Sequence, residues 1–231
     1  MLYRMRRLFA GPVLLLAIAL ASAPGLAARD CDYFGNCNSY IPHQRLPSIA
    51  AQQTMVWCWA AAAQALFRYH GYEVSQQRIV MQGYGSLVVS TGSPAAVLRT
   101  LNTEYVDERD GRRFRVRTTK HVDAFSWLAG DPWTASLQTG LSNSEIFESL
   151  RQEKPVFYGS QSHAMVLVAA GHRGDMPFPN QSWVLDPAPA IQVPFAGPIT
   201  DPRIPAIGIR PLMLHEMAAY FVALVDVRPV P

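Results

Sequence analysis

The sequence predicts an α+β fold, with a helical N-terminal half and an antiparallel sheet in the C-terminal half. Three features of the chain lead to that class. Strong helix formers with apolar residues at helical spacing fill residues 58–69, and shorter helical patterns follow at 75–81 and 94–102. Short valine-rich runs come later, at 155–158, 164–170 and 182–185, the pattern of buried strands. Helices first and strands second is the order of one α+β domain, whereas strict alternation would imply a parallel sheet.

Taken from the N-terminus, residues 1–7 carry Arg4, Arg6 and Arg7, residues 8–23 are almost wholly apolar, and small residues lead up to Arg29. A positive start, a short apolar core and a small-residue exit read as a secretory signal peptide over residues 1–27, cleaved after Ala27 or Ala28. An uncleaved anchor is the alternative, but the run falls short of the about 20 residues that span a bilayer. Removing three arginines takes the formal net charge from +3 to about 0, so nucleic acid is not an expected partner. No later stretch is apolar enough to span, so no membrane span is expected after cleavage, and the destination is the periplasm or the medium. The mature chain, residues 28–231, is expected to form a single domain that buries roughly 70% of its unfolded surface. Within it, residues 28–50 form an N-terminal arm and residues 190–231 a proline-rich C-terminal region.

Export changes how the three cysteines read. Cys31 and Cys37 are six apart, with Gly35 and Asn36 able to turn the chain between them, and in an oxidising compartment they are expected to pair as a disulfide. A metal site with His43 as third ligand is the alternative, but the spacing matches no common zinc pattern. Cys58 is left over. Around it the arm, polar and turn-rich through residue 47, gives way to the first helix, whose shared face is Trp59, Ala62, Ala63, Leu66 and Phe67. His70 and Gly71 stop it, and Ser75 caps the second helix.

Residues 105–119 read as a hairpin, with Asp110-Gly111 at the turn and Phe114, Val116 and Thr118 alternating with arginines. The basic positions read as a solvated face, with an acidic partner or lipid surface as the alternative. An amphipathic helix around Ile146, Phe147 and Leu150 is expected over 144–153, capped by Ser144. The valine-rich strands follow, the third ending at Asp186-Pro187. Eleven of the 18 prolines lie between 177 and 231, so loops are expected there, with a last helix at 212–219 and a closing strand at 220–227. There is no internal repeat.

The chemistry gathers around Cys58. At a helix start its sulfur faces unpaired backbone N–H groups and the positive end of the helix dipole, and both favour the thiolate. A partnering histidine must come from elsewhere in the fold. His163 has the best position, at the mouth of a buried strand where the ring is aimed outward. Its second nitrogen needs an acceptor, and Asp186, at the end of the next strand, is placed to be one. His172 is the substitute base and otherwise a turn residue; His70 is expected at the helix C-terminus, and His43, His121 and His215 at the surface. An oxyanion would be met by the N–H of Cys58 and by an upstream amide from Gln52 or Gln53. Trp57 and Trp59 read as packing around the helix start or as lining of a substrate cleft.

Gln followed by Cys-Trp at a helix start, then a strand-opening His and a later Asp near a tryptophan, resembles the papain-like cysteine peptidase superfamily. Within it, the stretches Trp-Cys-Trp-Ala-Ala-Ala, Lys-Pro-Val-Phe, His-Ala-Met-Val-Leu-Val and Trp-Val-Leu-Asp-Pro are similar to bacterial papain-like proteins, among them bacteriocin-leader peptidases and a class of effector proteases. The resemblance spans residues 52–187. It implies a papain-like fold with Cys58 as nucleophile, His163 as general base and acid, Asp186 as orienter and Gln52, six before the nucleophile, as oxyanion donor. It also implies a polypeptide substrate and no metal or organic cofactor. The common papain motif has a second cysteine three before the nucleophile, where this chain has Met55. Leader peptidases are attached to transporters and face the cytoplasm, so their substrate does not carry over to a short chain with an export signal.

Two other readings use the same residues. One is an amidase or acyl transferase acting on cell-wall peptides. The other is a binding protein on a papain-like scaffold that is catalytically silent, or latent because the proline-rich region blocks the site. Nothing in the sequence bears on oligomeric state.

Overall fold

In the computed structural model of the 231-residue chain, residues 29–33, 35–123, 141–173, 179–188 and 208–231 are described. The expected signal segment and residues 190–207 of the proline-rich region lie outside them. Strands β1 (Arg29–Cys31) and β2 (Asn36–Tyr40) open the described chain. Three helices come next, α1 (Cys58–Tyr69), α2 (Gln76–Tyr84) and α3 (Pro94–Thr100). A hairpin of β3 (Glu104–Val106) and β4 (Arg113–Asp123) leads to α4 (Asn143–Arg151). Strands β5 (Val156–Ser160), β6 (Ala164–Arg173), β7 (Pro179–Leu185), β8 (Ile209–Pro211) and β9 (Ala219–Pro229) complete it. The class is α+β.

Among the described residues all strand pairings are antiparallel, and the strands form one 9-stranded sheet. Its main path is β1-β2-β6-β5-β9-β4-β3, with β7 on β6 and β8 on β7. Strand β7 pairs with β6 from Val166 to His172 along one edge. A strand has only two edges, so β5, pairing at 164–167, and β2, pairing at 169–173, succeed one another along the other. The N-terminal arm is therefore not merely turn-rich. Cys37 and Ser39 alternate inward with period two, and the arm adds a hairpin to the sheet. Cys31 and Cys37 are register partners in that hairpin and form a disulfide.

Helix α1 has the bounds that its sequence pattern predicts. Every residue from Trp59 to Phe67 is buried, because the helix lies between the sheet, at β5 and β6, and α2. A helix buried all round must be apolar all round, and the alanines allow close approach. Gln64 is the polar exception. Its amide nitrogen donates to the Val74 carbonyl at 2.8 Å and to Glu73 at 3.0 Å, and its oxygen accepts from Gln76 at 3.1 Å. One hydrophobic cluster runs from this helix through Phe114 to Val156, Val166 and Val225, so the helices and the sheet share a core.

The other elements depart from expectation mainly at their ends. Helix α2 runs on to Tyr84, and α3 ends at Thr100. The cap of α4 is Ser142, two residues ahead of Ser144; its hydroxyl accepts the Glu145 N–H while the Glu145 carboxylate accepts the Ser142 N–H. The helix expected over 212–219 is a correction. A single 3-10 turn, Leu214–Glu216, stands there, and β9 already begins at Ala219. In the basic hairpin, Glu104 takes Arg113 and Arg115, while Asp107 and Asp110 take Arg109 and Arg112. Four arginines are thus shared among three carboxylates of their own hairpin, which weakens the case for an acidic partner.

Candidate active site

Cys58 is the first residue of α1, half-buried and not in a disulfide. No side chain caps this end, so the first-turn N–H groups beside Cys58 have no side-chain acceptor. The approach is a tight turn closed by the Trp57 N–H on the Thr54 carbonyl at 3.2 Å. Both flanking tryptophans are buried, a correction to their reading as cleft lining. The Trp57 indole donates to the Val88 carbonyl at 2.9 Å and the Trp59 indole to the Ser90 carbonyl at 3.2 Å, which straps residues 85–93 over the helix start. Gly92 has no side chain because a Cβ would lie 2.5 Å from the Trp59 ring. The strap leaves Leu87 and Val89 exposed.

Gln52 and Gln53 separate in the structure. Gln53 is exposed, and its N–H donates to the Gln76 side chain at 2.9 Å. Gln52 is half-buried; its N–H donates to the Pro187 carbonyl at 2.8 Å, and its amide nitrogen donates to the Thr54 carbonyl at 3.0 Å. The first bond ties the approach to α1 onto the exit from β7. The second fixes the amide plane while using one of its two N–H groups. The Gln52 amide oxygen and the Thr54 hydroxyl are buried with no partner among the described residues.

His163 stands just before β6. Its carbonyl is held by the Ser160 N–H at 2.8 Å and the Ser160 hydroxyl at 3.2 Å. Asp186 stands just after β7, and the Val166–Leu185 register puts the start of one strand beside the end of the other. The ring Nε2 lies 2.6 Å from Asp186 Oδ1, and the Cys58 side chain lies within electrostatic reach of the ring. With Nε2 taken by Asp186, Nδ1 is the nitrogen left for the sulfur. Cys58, His163 and Asp186 thus form one line across the junction of α1 and the sheet.

Burial opposes charge on the His163 ring, but the hydrogen bonds and negative charges of Asp186 and Cys58 outweigh it and raise its pKa to about 9. Burial likewise pushes the Asp186 carboxyl up, yet bonding to His163, the imidazolium charge, the Ala188 N–H and the Arg210 charge bring it down to about 2.

Sequence reasoning missed Arg210 and Glu216. Arg210 Nε donates to Asp186 Oδ2 at 2.5 Å, and its two terminal nitrogens reach the two Glu216 oxygens at 2.6 and 2.7 Å. Glu216 is buried, and its carboxylate also accepts the Met213 N–H at 3.0 Å. An isolated arginine followed six residues later by an isolated glutamate, both in apolar and proline-rich surroundings, was the available signal. Gly208 brings this segment in: it has φ +78, its carbonyl accepts the Asp186 N–H at 2.5 Å, and a Cβ there would meet Ile49 at 2.5 Å.

The remaining histidines stand apart. His172 is a correction: it is no strand-end turn residue but a buried member of β6, stacked on Phe147 with centroids 4.1 Å apart and 3.4 Å from the Ser39 hydroxyl. His70 caps the end of α1, where burial lowers its pKa despite the Asp226 charge. His121 is partly buried against Phe221, His43 lies in a 3-10 turn, and His215 is exposed. With Cys31 and Cys37 in a disulfide, the alternative metal site has lost both its thiolates, and among the described residues no cluster of three or more His, Cys, Asp or Glu side chains is placed to hold a metal.

No protein-family model matches the chain, and no curated protein is significantly similar to it.

Proposed function

We propose that the protein is an exported, papain-like thiol hydrolase that cleaves amide bonds in polypeptides. The observation that carries this reading is His163, whose ring is bonded to Asp186 at 2.6 Å and lies within electrostatic reach of Cys58, with a pKa raised to about 9. A ring so held keeps its proton at neutral pH and stands as imidazolium beside the sulfur. The Cys58 thiolate attacks the amide carbonyl, forming the C–S bond and placing a negative charge on the carbonyl oxygen. The Cys58 N–H and the second N–H of the Gln52 amide are the donors for that oxygen. His163 gives its proton to the leaving nitrogen as the C–N bond breaks, then takes one from the water that releases the acyl group. Asp186 accepts from the ring throughout. No step requires a metal or organic cofactor.

The disulfide supports export, and among the described residues no helix is long and apolar enough to cross a membrane. The reading of the C-terminal region as a removable block has little support. Residues 209–211 pair with β7, and β9 lies between β5 and β4, so cutting this region away would dismantle the sheet.

The test is alkylation of Cys58 from pH 4 to 9, followed by intact mass, for wild type and His163→Ala, alongside digestion of a denatured polypeptide. Fast labelling well below pH 7 that is lost in His163→Ala, with digestion lost in Cys58→Ala, is expected. Slow labelling that rises only near pH 8.5 and ignores His163→Ala would refute the reading.

A further inference from the structure

We infer that Arg210 and Glu216 are positioning residues for the Cys58–His163 pair: Arg210, anchored on Glu216, holds the Asp186 carboxylate in register with the ring, and Glu216 supplies a distant negative charge that favours the imidazolium. The inference rests on reading Cys58, His163 and Asp186 as the reacting set.

The geometry is a chain of fixed forks. Asp186 Oδ1 accepts from His163 at 2.6 Å and from the Ala188 N–H at 2.8 Å, which leaves Oδ2 to determine how the carboxylate is rotated. Oδ2 takes Arg210 Nε at 2.5 Å. The guanidinium cannot swing, because its other two nitrogens are each on one oxygen of Glu216, and Nη1 also donates to the Pro211 carbonyl at 3.1 Å. Glu216 is held in turn by the Met213 N–H, and its own carbonyl takes the Tyr158 hydroxyl at 2.7 Å. A lysine at 210 would offer one point donor and could not grip both carboxylates in this plane.

The charges support the same assignment. Two carboxylates, both buried, share one guanidinium, so the cluster carries one unmatched negative charge when His163 is neutral. Protonating His163 gives the two carboxylates a second positive charge, which the Cys58 thiolate then shares. The groups facing the ring among the described residues are Cys58 from α1 and Asp186 after β7, with Arg210 on β8 and Glu216 in the 3-10 turn behind them. Arg210 and Glu216 therefore act on the ring with opposite sign, through a medium that screens charge far less than water.

The experiment uses the full chain with ring-labelled histidine. It reads the His163 titration by NMR, the pH profile of Cys58 alkylation, and the melting temperature. Glu216→Gln is expected to lower the protonation constant of His163 by about tenfold and Arg210→Gln to raise it by a similar factor, on the order expected for a unit charge at partly screened range. The double variant Arg210→Gln/Glu216→Gln removes one charge of each sign and should return the titration toward wild type, with slower alkylation because Asp186 is no longer clamped. Arg210→Gln strands Glu216 and is the variant at risk of not folding, so the decision is made on Glu216→Gln and the double. Melting temperatures that fall while the His163 titration and the alkylation profile stay at wild type would overturn the inference and leave the nucleophile reading intact. A wild-type Cys58 that is unreactive below pH 8 and indifferent to His163→Ala would overturn both.

Discussion

Asp186→Asn isolates what the carboxylate contributes, because it preserves shape and removes charge. Asp186 now satisfies three fixed demands, His163 Nε2 at 2.6 Å and the Ala188 N–H at 2.8 Å on Oδ1, and Arg210 Nε at 2.5 Å on Oδ2. An amide has a single oxygen. Arg210 can only donate whereas the ring can also accept, so with the oxygen turned to Arg210 the NH₂ group meets the ring, and it also faces the Ala188 N–H, which loses its acceptor. Nε2 must then accept, which moves the neutral ring's proton to Nδ1 and leaves no base facing the sulfur. The charge effect adds to this. Returning a ring held at about 9 to the ordinary 6.5 forfeits about 3 kcal/mol of preference for the imidazolium, and burial lowers it further. At pH 7 the protonated fraction drops from nearly all to about one quarter. Cys58 alkylation at pH 7 should therefore slow at least about fourfold, with a further loss from the wrong tautomer. NMR of the labelled ring should place the His163 titration at or below 6.5. If the variant still titrated near 9, or labelled at the wild-type rate, Asp186 would not be what holds the charge on the ring.

Stability should depend on pH with a definite sign. His163 lies above its ordinary 6.5, so its contribution is complete below about 6.5 and fades as pH rises through about 9; Asp186 lies below its ordinary 3.8, so its contribution holds above about 3.8 and fades as pH falls through about 2. The melting-temperature gap between wild type and His163→Ala should be widest between those limits and close toward alkaline pH; a gap that widens there would contradict the assignment. Gly208→Ala combines a left-handed backbone with a contact at 2.5 Å to Ile49, and should cost about 1–3 kcal/mol in a denaturant melt while slowing Cys58 labelling. An unchanged midpoint would show that the segment rearranges freely. Replacing both Cys31 and Cys37 by serine opens a loop with a separation of 6 residues and should cost about 2 kcal/mol. The Cys58 profile should not move, because that hairpin pairs with the end of β6 remote from His163.

Elements whose local pattern agrees with their burial were readable from the chain alone. The alanine-rich run became α1 because an all-apolar helix needs an all-round neighbour, and the valine runs became β5, β6 and part of β7 because they are buried on both faces. Cys58, His163 and Asp186 were legible for a related reason: each stands at the end of a strongly patterned element, so its direction follows from the element. Arg210 and Glu216 were not legible. The strand of Arg210 is only three residues long and exists because it pairs with β7, a contact that local propensity does not encode, and Glu216 lies in the single 3-10 turn beyond it. The N-terminal hairpin escaped for the same cause, since its exposed face carries Asn36 and Asn38 and its inward face is completed by β6.

Strand β9 is made after every other described strand, yet it occupies an interior place in the sheet, hydrogen-bonded to β5 on one side and β4 on the other. A chain emerging N-terminus first can wind α1 early, but it cannot close the sheet until residues 219–229 arrive. The sulfur and the ring share a molecule once residue 163 is made, and the sheet stays open from then until β9 arrives. Such long-range closure is slow relative to helix formation. The order of synthesis thus leaves β5 and β4 unjoined until the end, and a nascent chain stopped short of β9 carries Cys58 and His163 on a sheet still divided at that place.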